Sequence, residues 1–163
     1  MNLDALVTKG RLPWSPGPDA RDLHVWYEYE YPYVGTFAVR DVTVLFNVLG
    51  GVETEMTVWA YTCLDPNEAA ELAEVSFASV TELREFVQEK LEGRQLVFAL
   101  ADDLLISSWA VSEEKGELYE VATTFLDQVL QQARGKLNAG TRFRAKLAQV
   151  DVATRDLVEA CLG

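Results

Sequence analysis

Three pairs of acids, Glu28/Glu30, Glu53/Glu55 and Asp102/Asp103, have the spacing at which two carboxylates can share a proton, divide acid from base work, or hold a cation. In a chain of 163 residues with 26 acids against 14 bases, such pairs also arise by chance, so none of them fixes a reaction. His24 is the only histidine, and a Ser-His-Asp triad or a Cys-His dyad would have to use it. Neither a G-x-S-x-G elbow nor a nucleophilic cysteine motif accompanies it, which leaves a polar residue opening a strand. Cys63 and Cys161 lie far apart with no second Cys or His beside either, so the spacing of a metal site or a disulfide framework is missing. Ser107 and Ser108 have no base to activate them. Read residue by residue, the sequence calls for no catalytic residue, no metal and no cofactor.

The run His24-Val25-Trp26-Tyr27-Glu28-Tyr29-Glu30-Tyr31-Pro32-Tyr33 carries a different chemistry, that of recognition. In one extended strand, Tyr27, Tyr29, Tyr31 and Tyr33 share one face, and Trp26, Glu28 and Glu30 share the other. Aromatic rings with a polar tip give large contact area at low entropic cost, as binding anchors do. Three arrangements satisfy the pattern: an exposed Tyr face that binds; a Tyr face packed under a helix, with Trp26, Glu28 and Glu30 outside; or an edge strand that Pro32 and the glutamates keep from further pairing. Together with Trp59 of the Trp59-Ala60-Tyr61 element, these residues are the candidate partner contacts.

A second candidate group is basic. Arg142, Arg144 and Lys146 fall in the first turns of a helix expected from Thr141, where the helix dipole disfavours positive charge. The acidic body of the chain, a partner's carboxylates or a bound anion would each compensate them, although no glycine-rich phosphate cradle precedes the helix. Along that helix Phe143, Leu147, Val150, Thr154, Leu157 and Cys161 alternate by four and three, a narrow seam suited either to docking on its own domain or to a homodimer through 141–162.

The net charge of −12 argues against direct nucleic-acid binding, whose affinity comes largely from neutralising phosphates, while leaving imitation of nucleic acid open. Charge is uneven: residues 21–80 hold ten acids and two bases, and 121–163 hold four acids and six bases. No leader-like segment opens the chain, and the longest uncharged run, Val42 to Val52, is far shorter than the roughly 20 residues of a membrane span. A cytoplasmic protein with reduced thiols is expected.

The elements that must position these residues are legible in outline. Pro13, Pro16, Gly17 and Pro18 make residues 1–22 a short helical segment and a Pro-rich loop. Strands are expected over 23–31, 34–39, 42–49 and 55–62, rich in Val, Thr, Phe, Tyr and Trp, with turns at Arg40-Asp41 and Gly50-Gly51. Asp65-Pro66-Asn67-Glu68 and Ser79-Val80-Thr81-Glu82 have the form of helix starts, and Gly93 that of a helix stop. Strands over 95–101 and 104–111, turning at Asp102-Asp103, precede a helix over 117–135. The expected fold is α+β: an antiparallel sheet of five to six strands in a single domain over 23–135, helices mainly on one face, and a C-terminal helix over 136–163 that docks or dimerises.

The order helix, three strands, helix, two strands, helix, and within it LREFVQEKLEGRQLVFALADDLLISSWAVSEEKGELYEVATTFLDQVLQQA, resembles the type III secretion chaperone-like fold over residues 34–134. The Tyr-rich strand, the helix near 66–74 and the basic C-terminal helix depart from that pattern. The strand meander with its Trp-x-Tyr element is similar to that of small bacterial proteins and implies no function. The chaperone-like resemblance implies a small acidic protein, commonly dimeric, that binds extended segments of other proteins. The function expected is therefore a non-enzymatic, chaperone-like or inhibitor-like binding module for a basic or extended protein partner. The alternative is a small-ligand-binding protein or enzyme with a Tyr/Trp-lined pocket.

Overall fold

The computed structural model describes residues 3–53 and 56–112, together with Ala122, Thr124 and Phe125. Six strands form one sheet in sequence order, each antiparallel to the next: β1 Ala20–Tyr29, β2 Tyr31–Val39, β3 Val42–Glu53, β4 Met56–Leu64, β5 Val97–Asp102 and β6 Leu105–Val111. Two helices, α1 Pro66–Glu74 and α2 Val80–Leu91, are inserted between β4 and β5, which nevertheless pair directly. A 3-10 turn over Leu3–Leu6 precedes the sheet. The fold is α+β. The helix expected over 117–135 is described only at its three helical residues, and the segment from 136 on, with Arg142, Arg144, Lys146 and the seam over 141–162, lies outside the described residues.

The helix starts follow from their caps. Asp65 Oδ1 accepts from the Glu68 N–H at 2.8 Å while Glu68 Oε2 accepts from the Asp65 N–H at 3.0 Å, a complete capping box with Pro66 at the first helical position. Ser79 caps α2 by accepting from the Glu82 N–H at 3.2 Å, and Glu82 reaches one residue further back, to the Ala78 N–H at 2.8 Å. Gly93, at φ 70°, ends α2 in the left-handed conformation that only glycine takes without strain. Leu83, Val87 and Leu91 form the buried stripe of α2, and Leu72 anchors α1. Arg94 pairs with both carboxylate oxygens of Glu68, tying the start of α1 to the chain entering β5.

Cross-strand pairing sorts the core into two faces. On one, Thr36 opposes Leu45, Leu45 opposes Thr62, Asn47 opposes Ala60, and Ala60 opposes Phe98. Helices cover this face: α1 and α2 lie against β3 and β4, and Phe125 stacks on Phe98 at 5.5 Å. On the other, Phe37 opposes Val44, Phe46 opposes Tyr61, Val48 opposes Trp59, and Trp59 opposes Ala99. Neither α1 nor α2 lies on that face. The N-terminal loop covers it, through Trp14 and a hydrogen bond from the Tyr61 hydroxyl to the Pro13 carbonyl at 2.7 Å. The loop is held at the far end by backbone bonds between Gly10 or Arg11 and Ile106, at the start of β6.

Three turns differ from expectation, the β5–β6 turn lying at Asp103-Leu104, one residue past Asp102-Asp103. The strand expected over 23–31 breaks at Glu30, whose φ of 64° reverses the chain so that Tyr29 faces Tyr31 across a hairpin. Gly50-Gly51 is not a turn: β3 runs through it to Glu53, with a register shift between Val48 and Gly50. Glycine inside a strand marks a bulge as readily as an end.

Candidate functional site

The hairpin at Glu30 separates what a single strand would align. Tyr31 and Tyr33 belong to β2 and Tyr27 and Tyr29 to β1, so the four tyrosines do not make one stripe. Tyr27, Tyr31 and Tyr33 do meet, with Tyr27–Tyr33 centroids 6.0 Å apart and Tyr31–Tyr33 centroids 4.7 Å apart. They pack on the loop-covered face, where Trp14 stacks on Tyr31 at 5.8 Å and contacts Trp59 at 6.1 Å. Trp59 is 0% exposed, and its indole N–H donates to Thr57 Oγ1 at 2.7 Å. As a partner contact Trp59 needs correction: it is a core residue with no surface to offer. Tyr33 is buried as well.

Trp26, expected outside whenever the tyrosines pack, is instead half-buried on the helix face. It meets His24 edge-on at 5.8 Å and Phe77, in the link between the helices, at 5.7 Å; Phe77 continues to Phe86. Its indole N–H is buried without a hydrogen-bond partner. What remains exposed from the aromatic run is His24 at its start and Glu28, Tyr29 and Glu30 at the hairpin tip, where Tyr29 is 64% exposed. Neither glutamate takes part in the ion pairs described, which are Arg21–Asp22, Lys90–Glu71 and Arg94–Glu68.

Among the described residues β1 is an edge strand, paired on one side only. Its exposed residues include Arg21, Asp22, Leu23 and His24, then Glu28 and Tyr29. Register shifts between Arg21 and His24, and again around Tyr27, kink it, and Asp22 sits at φ 55°. Gly35 on β2 permits a close crossing: a Cβ there would lie 2.1 Å from the His24 carbonyl oxygen. Where β1 leaves α1 behind, a groove of about 400 Å³ opens, lined by Asp22 and His24 of β1, Thr36 and Ala38 of β2, Thr43 of β3, and Ala69, Leu72 and Ala73 of α1.

Comparison with models of known families, with curated proteins and with solved structures returns no match.

Among the other candidates, Asp102 ends β5 and Asp103 occupies the turn after it, both exposed. Glu55 of the Glu53/Glu55 pair lies outside the described residues. Ser107 donates to the Leu100 carbonyl at 3.1 Å, and Ser108 Oγ is buried with no partner, so neither hydroxyl has a base in reach. Burial pushes the Cys63 thiol up, away from the reactive thiolate. No group of three or more His, Cys, Asp and Glu stands close enough to hold a metal among the described residues, and no helix there is long and apolar enough to cross a membrane.

Trp14 is the residue the sequence concealed. It sits among prolines in a segment read only as a connector, yet it closes the aromatic cluster. The available signal was its type, since a large aromatic in a polar loop usually has something to cover.

Proposed function

We propose that this protein is a non-enzymatic binding module, chaperone-like or inhibitor-like, that holds a basic, extended segment of a protein partner along the β1 edge. The observation that carries this is the tip and edge of β1: exposed Glu28, Tyr29 and Glu30 beside a strand with one side unpaired among the described residues. An edge strand offers a row of unpaired backbone groups that an extended segment can satisfy. Carboxylates flanking an exposed ring suit an arginine or lysine, by charge and by contact with the ring face. The resemblance of residues 34–134 to chaperone-like folds points the same way, and the overall charge of −12 favours a basic partner over another acidic surface.

The test is capture by the tagged protein from extracts of its own cells at low and high salt, with Glu28→Lys/Glu30→Lys and Tyr29→Ala beside the wild type. Wild type retains a stoichiometric protein that 0.5 M salt releases and the double charge reversal does not bind. Equal recovery by wild type and charge reversal would move the site elsewhere.

A further inference from the structure

The groove between β1 and α1 has no place in the contacts made at the hairpin tip, and its chemistry differs from theirs. Its floor and far wall are small or apolar, with Ala38, Ala69, Leu72 and Ala73, while Asp22, His24, Thr36 and Thr43 add polar groups. α1 causes it: the helix lies over β3 and β4, anchored by Leu72, and the groove opens between it and the Asp22–His24 end of β1, while further along the strand Phe77 covers Trp26. Ala69 and Ala73 keep the helix wall low, since a larger residue at either would fill the space.

We infer that this groove seats one aliphatic side chain of the basic segment held by β1, so that the site selects a sequence and not only a charge. This rests on the proposed binding mode and extends it. A strand added beside β1 runs about 4.8 Å from it and sends alternate side chains to the helix face, the side on which the groove opens. At about 400 Å³ the space admits a side chain of leucine or methionine size. The occupant's charge follows from the strand itself: β1 and its turn expose Glu28 and Glu30, which enter none of the ion pairs described, while Arg21, the one base of the strand, and Asp22 offset each other at 3.4 Å. A second copy docking edge to edge would add a strand of the same acidic tip, and the three register shifts along β1 would have to mesh with their own, so a basic segment from another protein fits better than a second copy.

The probe is a set of synthetic ten-residue peptides with lysine or arginine at both ends and a varied central residue, tested on the full chain and on Ala73→Trp, which fills the groove from an exposed helix position. Wild type prefers leucine or methionine over glycine at the centre by about tenfold or more, the scale expected for burying such a side chain. Ala73→Trp loses that preference and binds the leucine peptide no better than the glycine one. A photo-crosslinker at position 73 attaches to the peptide's central residue. Binding without central preference, or a preference that Ala73→Trp retains, overturns the groove inference and leaves the proposed binding mode standing. No binding by any basic peptide overturns both. A crosslink to residues 136–163 of the same chain, or to a second copy, assigns the groove another occupant and overturns the inference.

Discussion

Tyr61 shows how one residue joins the two halves of the molecule. It is fully buried in β4, and its hydroxyl donates to the Pro13 carbonyl, 48 positions earlier. Replacing it with Phe leaves that carbonyl without its donor, and Tyr61→Phe should lose about 1–3 kcal/mol in urea unfolding at pH 7. The same variant should behave differently in alkali. Burial raises the phenol's pKa well above its ordinary value of 10.0, so the unfolded chain releases this proton before the folded one does. The stability Tyr61 contributes is whole below pH 10 and is lost as pH rises above it, by up to about 1.4 kcal/mol per pH unit. Unfolding free energy measured from pH 8 to 11 should therefore fall less steeply for Tyr61→Phe than for wild type. Parallel slopes would mean that the phenol reaches water before the chain unfolds.

The elements divide by how local their causes are. Both helices were legible because their signals are short: a capping side chain, a glutamate three residues on, a proline, a closing glycine. The six strands were legible from β-branched and aromatic content. The turn at Glu30 was not, because it lacks the Gly or Asn that left-handed backbone favours, and only the pairing of Tyr29 with Tyr31 across the hairpin explains its position. The β5–β6 turn was read one residue early for the same reason: Asp103 and Leu104, at φ 49° and 61°, occupy it between the paired Asp102 and Leu105. A leucine held at positive φ is strained by about 1–2 kcal/mol, part of which glycine returns as unfolded-chain entropy. Leu104→Gly should gain about 0.5–1 kcal/mol, seen as a higher midpoint in thermal melts; a lower midpoint would show that the leucine's packing outweighs its strain. Gly35→Ala should do the reverse. Its Cβ would meet the His24 carbonyl at 2.1 Å, backbone that can only move away, so residues 20–29 should lose amide-exchange protection while β3 to β5 keep theirs. Because the binding site is proposed to lie along β1, the same variant should also lose partner capture.

At the scale of the whole molecule, charge sets a prediction that no single contact could. Residues 21–80 hold ten acids and two bases, and few of the acids described there are paired, so the folded chain concentrates negative charge that the expanded chain spreads out. That surplus was legible from composition. Its focus at the open end of the sheet was not, since it depends on where the hairpin reverses and on which aromatic rings turn inward. Self-repulsion of this kind destabilises the compact state and is screened over about 10 Å at 0.1 M salt. Sodium chloride between 0.02 and 0.5 M should therefore raise the unfolding free energy, by about 1 kcal/mol; screening of the ion pairs acts the other way, but Arg94–Glu68 is largely buried and little screened, and Lys90–Glu71 is too weak to reverse the sign. Partner binding should move oppositely over the same range, weakening as the attraction between acidic edge and basic segment is screened. Glu28→Lys/Glu30→Lys separates the two effects: by removing repulsion it should flatten the salt dependence of stability, and by reversing the edge charge it should abolish the salt-sensitive binding. A variant that flattened stability but still bound with wild-type salt dependence would place the partner's contacts on other acids of the sheet.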